Sequence, residues 1–347
     1  MNNSEKYPIT GEHGGIALNS RVSFYRNFSG LPFPARLDLL AKRALSAAVF
    51  KTVKEFDSGF ALTDMGTLYP YEAVALAERH IIPPDFAGTA EGHFLLLSSD
   101  SALALMLGGE DHIRLRCTVP GLNPEAAFKR GAELERFINS RMPFAFDRTL
   151  GFLNQDPSNI GTGLKVSALL HLPALTAAGE MPRFASLAAR MGINVRGSYG
   201  EAASVRGDMY RLTNTVTMGI SEEKAVENLK SLVLQLATKE RAAAEKMLES
   251  EETADKVKRA EGVLRSAVML DIDEATELLS ALRFGAVYGM NDISPELINS
   301  LFEFIEPACL NVRAGERLGE REQKILRAAV IGKALSGGFE KKETGDE

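Results

Sequence analysis

Four short stretches of the chain gather arginines and carboxylates among glycines, asparagines and prolines. They are Asn19-Ser20-Arg21-Val22-Ser23-Phe24-Tyr25-Arg26-Asn27, Gly109-Glu110-Asp111-His112-Ile113-Arg114-Leu115-Arg116, Gly151-Phe152-Leu153-Asn154-Gln155-Asp156-Pro157-Ser158-Asn159-Ile160-Gly161-Thr162-Gly163-Leu164-Lys165, and Val195-Arg196-Gly197-Ser198-Tyr199-Gly200-Glu201. An arginine offers a planar fork of donors that matches the oxygens of a phosphate or carboxylate. A carboxylate can orient a cation or take a proton. Each stretch also has a plain structural reading: Arg21 and Arg26 as solvated strand charges, Glu110–Arg114 as a surface turn, Asn159–Gly163 as a glycine turn, and Arg196–Glu201 as a hairpin loop.

Common signatures are missing. The nearest approach to a phosphate loop, Gly161-Thr162-Gly163-Leu164-Lys165, is followed by Val166 and lacks the hydroxyl that would meet a metal ion. There is no HRD or DFG and no HExxH. His13, His80, His93, His112 and His171 do not pair at ligand spacing, so no protein-bound metal is expected.

These stretches must be held by the elements around them. Phe94–Leu97 and Ile113–Val119 read as strands. Arg36–Phe56 has helical spacing, with Leu37, Leu40, Ala41, Ala44, Leu45 and Ala48 on one face, and Pro124–Arg141 is a second helix. From Ser221 to Leu270 the chain is rich in Ala, Glu, Lys and Leu. Ser221 reads as an N-cap followed by acidic Glu222 and Glu223. Gly262 is expected to break this stretch into two helices. Asp273–Gly285 and Pro295–Ile305 read as further helices. The ends, 1–15 and 336–347, are polar and expected to be flexible and disordered respectively.

The chain has 347 residues, with 40 Lys+Arg against 46 Asp+Glu and a formal charge of −6. That balance argues against a nucleic-acid partner. There is no apolar run long enough for a membrane span and no visible secretory signal. Cys117 and Cys309 make neither a disulfide framework nor a zinc site. A cytoplasmic protein is expected. Residues 1–230 balance their charges, and 231–347 carry the whole −6. The shift supports a boundary near 230–250 between a mixed part and an acidic helical part.

In order and spacing, the four stretches resemble the blocks of the ATP:guanidino phosphotransferases, the family of arginine and creatine kinases. Those blocks read S-R-x-R, N-E-E-D-H-x-R, C-P-T-N-x-G-T-G-x-R and R-G-x-x-G-E. Within the family, the likeness is to the bacterial protein-arginine kinases (McsB). The resemblance extends over about 16–335 and includes a helical segment around Thr253–Val312.

The resemblance implies an α+β fold, with an antiparallel sheet flanked by helices over 16–245 and an all-helical domain over 246–335. It implies transfer of the γ-phosphoryl group from ATP, with Mg²⁺, to arginine side chains of proteins. ATP-binding roles would fall on Ser20, Arg21, Ser23, His80, Arg114, Lys165 and Arg196, with Arg21, Arg114, Lys165 and Arg196 on the phosphates. Glu110 and Glu201 would be the catalytic carboxylates, and with Asp156 they would face the substrate guanidinium. A phosphoarginine-binding R-D-x-x-R-A motif corresponds to Gln323-Lys324-Ile325-Leu326-Arg327-Ala328, where Arg327 and Ala328 match. A homodimer through the helical domain and an activator protein are implied as partners.

The chain departs from the pattern at Ser23 (an arginine in the family), Asp156 (a cysteine), Lys165 (an arginine) and Gly108-Gly109 (N-E). Two alternatives stay open on the residues alone: a kinase of free arginine or another small guanidine, and a catalytically weak relative acting as a regulator.

Overall fold

The computed structural model describes residues 15–88, 91–198 and 205–337. In chain order the elements are β1 (Ala17–Arg26), α1 (Leu39–Phe56), β2 (Ala61–Asp64), α2 (Pro70–Glu78), α3 (Pro84–Gly88), β3 (Phe94–Leu97), β4 (Leu103–Leu107) and β5 (Ile113–Pro120). Then come α4 (Pro124–Arg141), β6 (Phe146–Asp147), β7 (Gly151–Phe152), β8 (Leu164–His171), α5 (Pro173–Ala177), α6 (Met181–Arg190), β9 (Ile193–Gly197) and β10 (Met209–Asn214). The rest is helical: α7 (Glu222–Leu248), α8 (Glu251–Ser266), α9 (Ile272–Val287), α10 (Pro295–Phe304), α11 (Pro307–Ala314) and α12 (Glu320–Leu335). No helix among the described residues is long and apolar enough to cross a membrane.

Eight strands form one antiparallel sheet in the order β2-β3-β4-β5-β1-β8-β10-β9. β1 lies inside it, so both faces of β1 are buried. Strand alternation sends Val22, Phe24 and Arg26 to one face and Arg21, Ser23 and Tyr25 to the other. The first face is closed by α4 and α7, which bury Ala127, Leu134, Ile138, Leu229, Val233 and Leu236 against it. α4 comes close enough that a Cβ on Gly131 would lie 2.7 Å from the Phe24 ring, which is why a glycine stands there. Arg26 is no solvated charge. It is closed to water, pairs with Glu135 at 2.7 Å and Glu222 at 3.2 Å, and lies 3.5 Å from the Phe152 ring centre.

A second core is built from α8 to α12, and it reaches the sheet through Leu18, Leu169 and Met209. Among the inter-core ties, His171 on β8 contacts Arg283 and Ser280 of α9 at 2.8 Å each. Arg327 is buried, and its guanidinium donates to the carbonyls of Ile305 and Leu270 at 2.9 Å each. It clasps the helical domain together from inside.

The sequence expectations for α4 and β3 coincide with the structure. Ser221 accepts from the Lys224 N–H at 3.2 Å and starts α7. Two expectations need correction. The helix break falls at Glu249–Ser250, ahead of acidic Glu251 and Glu252, and Gly262 lies inside α8. A mid-helix glycine costs only about 1 kcal/mol, which helix packing overrides. In α1 the buried residues are Ser46, Val49, Thr52 and Val53, while Leu40 is 77% exposed. The helix starts at Leu39, after Asp38 caps it by accepting from Ala41, and the buried positions begin only at Ser46. Cys117 and Cys309 are buried free thiols. The expected flexible ends fall on 1–14 and 338–347, outside the described residues, apart from Gly15, Ser336 and Gly337.

Candidate active site

The face of the sheet opposite α4 carries a row of cations set by register. Arg21 pairs with Thr118 on β5 and Ser167 on β8, Ser23 with Arg116 and Lys165, and Tyr25 with Arg114. Further along the sheet Arg211 on β10 pairs with Arg196 on β9. The antiparallel sheet thus brings Arg21, Arg114, Lys165 and Arg196, from all four motif stretches, onto one face.

His80 presides over this row with its backbone. It sits at φ +57°, in the left-handed region that non-glycine residues rarely adopt. In that conformation its carbonyl accepts from Arg21 Nη2 and Arg116 Nη1 at 2.9 Å each, and the Ile81 carbonyl accepts from Arg116 at 2.7 Å. The His80 ring lies 3.4 Å from the Ser198 hydroxyl. The Arg114 guanidinium stacks 4.8 Å above the Tyr25 ring.

The turn before β5 supplies the carboxylates. Gly108 takes φ +80° there, and a Cβ on it would meet the Gly92 carbonyl at 2.3 Å. Asp111 is buried: its Oδ1 accepts from Asn27 at 2.6 Å and from the Gln155 N–H at 3.1 Å, while Oδ2 has no hydrogen-bond partner among the described residues. Asn27 in turn accepts the His112 N–H at 2.9 Å. The first three motif stretches are therefore wired to one another. His112 accepts the Phe28 N–H on Nδ1 and meets the Pro32 carbonyl with Nε2; burial pushes its pKa down, opposed in part by the Pro32 contact.

Glu110 lines a cavity of about 260 Å³ with Tyr25, Asp85, Phe86, Asp111 and Arg114. Glu110 is an exposed residue. Even so, the surrounding protein, followed by the charges of Asp111, Asp156 and Asp85, pushes its pKa up. A cavity with an acidic wall, aromatic surfaces and a cation at one side suits a guanidinium next to a phosphate. A second, larger groove of about 800 Å³ lies between α8, α9 and the segment before β10, and none of the expected site residues that are described lines it.

Other expected residues are placed differently. Ser20 faces α4: its hydroxyl donates to the Gly121 carbonyl at 2.8 Å and accepts from the Asn123 N–H at 2.9 Å, away from the cationic face. Asp156 spends its carboxylate on Ser158, accepting from the N–H at 2.8 Å and the hydroxyl at 2.6 Å, which holds its pKa down. Lys165 approaches the carbonyls of Ser158 at 3.3 Å and Thr215 at 3.4 Å, and burial lowers its pKa. Glu201 lies outside the described residues. Arg327 is the internal clasp described above.

The sequence reading missed Arg116, Arg211 and Asp111 as contributors. Strand alternation from Arg114 points to Arg116. The helical domain also reaches the site. Glu78, at the end of α2, accepts the Ala308 N–H at 3.0 Å and the Cys309 N–H at 2.9 Å from the first turn of α11. Arg206 lies 3.5 Å from Glu306 and 3.8 Å from Asp273.

Comparison with known proteins gives the same picture. The family model "ATP:guanido phosphotransferase, C-terminal catalytic domain" matches residues 42–243. "Protein-arginine kinase McsB C-terminal domain" matches residues 250–345. The chain is similar to a protein-arginine kinase of Moorella thermoacetica, 34% identical over 347 residues, covering 96% of this chain and 98% of that protein. It is also similar to one of Clostridium tetani, 32% identical over 327 residues, covering 93% of this chain and 96% of that protein. Among solved structures, a lombricine kinase is 19% identical with a TM-score of 0.57, covering 70% of each chain. The duplicated taurocyamine kinase of Schistosoma mansoni with transition-state analogue components is 23% identical with a TM-score of 0.59, covering 66% of this chain and 33% of that chain. At these identities the structural likeness speaks for the fold.

Proposed function

The chain belongs to the ATP:guanido phosphotransferase family, and from that premise we propose that it transfers the γ-phosphoryl group of ATP to arginine side chains of proteins. The observation that carries the choice of a protein acceptor is the pairing of the two matched segments: the catalytic model over 42–243 is followed by the protein-arginine kinase C-terminal model over 250–345. The whole-length relatives bear the name protein-arginine kinase.

Phosphoryl transfer passes through a loose transition state, so the protein's work is alignment and charge neutralisation. In this reading Arg21, Arg114, Lys165 and Arg196 face the triphosphate, an assignment supported by their shared sheet face. Mg²⁺ arrives on the nucleotide, held by phosphate oxygens and water. The described residues contain no cluster of three or more His, Cys, Asp or Glu side chains that could hold a metal themselves. The acceptor guanidinium enters the cavity beside Glu110. As its nitrogen bonds to the γ-phosphorus, the bond from that phosphorus to the bridging oxygen breaks, ADP leaves, and the guanidinium proton passes to Glu110. Glu201 is the proposed second carboxylate. Asp156, already occupied by Ser158, contributes charge at the edge of the site. A homodimer through the helical domain and an activator protein belong to the same proposal, and light scattering alone and with a candidate activator tests them.

A second reading, a catalytically weak regulator, is favoured by Ser23 and by the self-engaged Asp156. Incubating the chain with ATP-Mg²⁺ and either a denatured protein or free arginine separates the readings. Acid-labile phosphate on protein that disappears in Glu110→Ala supports the proposal. Label only on free arginine points to a small-guanidine kinase. ATP binding without label points to the regulator.

A further inference from the structure

Ser23 leaves a gap in the cationic row of β1, and the register of the sheet shows what stands beside it. Directly opposite Ser23 lie Arg116 on β5 and Lys165 on β8. Neighbouring strands are about 4.8 Å apart, so these three side chains form one line across the sheet. Ser23 and Arg116 are each 4% exposed. Arg116 shares its anchor with Arg21, since both donate to the His80 carbonyl at 2.9 Å.

Among the described residues Arg116 forms no ion pair with a carboxylate, and its Nε has no hydrogen-bond partner. Burial, then the like charges of Arg114 and Arg211, push its pKa down to about 9, partly opposed by Tyr25 and Asp85. A buried cation without an anion is costly in a folded protein. Its cost is recovered when an anion binds against it.

We propose that Arg116 supplies, from β5, the phosphate-binding cation that β1 lacks at Ser23, so that the nucleotide triphosphate is read across two strands. This rests on the proposed ATP-dependent function. Strand alternation aims Arg116 to the same face as Arg114, and the shared His80 carbonyl sets it beside Arg21. The cation has moved one strand sideways while keeping its level along the sheet.

The test uses the full chain and calorimetric titration with ATP-Mg²⁺ and, separately, with adenosine. If the unaltered chain binds no ATP, the functional reading itself fails, and the Arg116 proposal falls with it. If ATP binds, Arg116→Gln is expected to weaken ATP by roughly tenfold or more, as for loss of a charge-assisted contact, and to leave adenosine within about twofold. Adding Ser23→Arg to Arg116→Gln is expected to restore ATP affinity to within about threefold, because the charge returns to the same line. Unchanged ATP affinity in folded Arg116→Gln overturns the proposal. So does an equal loss for ATP and adenosine that Ser23→Arg does not recover. If Arg116→Gln does not fold, Arg116→Lys is read instead: ATP affinity kept within about threefold supports the proposal, and equal loss of ATP and adenosine overturns it.

Discussion

His80 holds Arg21 by a peptide carbonyl: the oxygen accepts from Nη2 at 2.9 Å, and a backbone angle of φ +57° presents it. The family resemblance gave His80 a nucleotide contact, and the structure adds a backbone duty. Glycine adopts this conformation freely, and a β-branched residue does not. His80→Gly is therefore expected to keep the melting temperature within about 2 °C. His80→Val is expected to lose roughly 1–3 kcal/mol and to raise the KM for ATP. Equal behaviour of the two variants would show that the backbone conformation is unimportant.

Glu110 should act as base only when ionised, and its pKa is raised above the ordinary 4.5 by its surroundings. The acidic limb of kcat/KM is accordingly expected above that value, with activity rising as the pH passes through it. Glu110→Gln should lower kcat by about 10²–10⁴-fold with ATP affinity little changed. A variant whose acidic limb is unaltered would assign that limb to another group.

Arg26 and Glu135 form a buried pair at 2.7 Å, with side-chain exposures of 1% and 9%. Arg26→Met strands Glu135 and Glu222 and is expected to cost about 3–5 kcal/mol in denaturant unfolding. Adding Glu135→Leu should recover part of that loss. Simple additivity of the two changes would mean that the pair is not coupled.

Glu240 and Glu306 are buried carboxyls pushed up to about 7 from an ordinary 4.5, in each case chiefly by burial. Both bind a proton more tightly folded than unfolded. The stability they carry is complete below about pH 4.5 and is lost as the pH rises through 7, on the order of 3 kcal/mol for each. Unfolding free energies measured between pH 5 and 8 should decline, less steeply in Glu240→Gln.

Gly262 sits in the body of α8, and a Cβ there would meet nothing within 4 Å. Gly262→Ala should stabilise the chain by about 0.5–1 kcal/mol, mostly by restricting the unfolded state. A destabilised variant would show that the glycine is needed for a contact.

The fold was most legible where local chemistry and tertiary structure agree. Asn123 and Pro124 open α4, with the Asn123 side chain accepting from Ala126, and the apolar positions Ala127, Leu134 and Ile138 are among its buried ones. Gly262 misled because its helix penalty is smaller than the cost of disrupting packed Val257, Ala260 and Leu264. Leu40 misled because spacing shows which residues share a face but not whether a partner reaches it. In the candidate site, Arg21, Arg114, Lys165 and Arg196 were visible by type, and their common face became visible with the sheet register. Ser20 was one residue out of phase, which on a strand means the opposite side. The contact of Glu78 with Ala308 spans 230 positions, and no local pattern announces it.

That contact bears on what could be separated by cutting the chain. Glu78 seats α2 on the opening turn of α11, two residues before the carbonyl that steadies Arg21 and Arg116. Leu18, Leu169 and Met209 bury the sheet in the helical core. A fragment ending near residue 248 would leave the Glu78 carboxylate without the two N–H groups it accepts and would bare those apolar side chains to water. The catalytic part is no portable module. To move it into another protein, an engineer would have to bring α11 with it or rebuild a docking turn in its place.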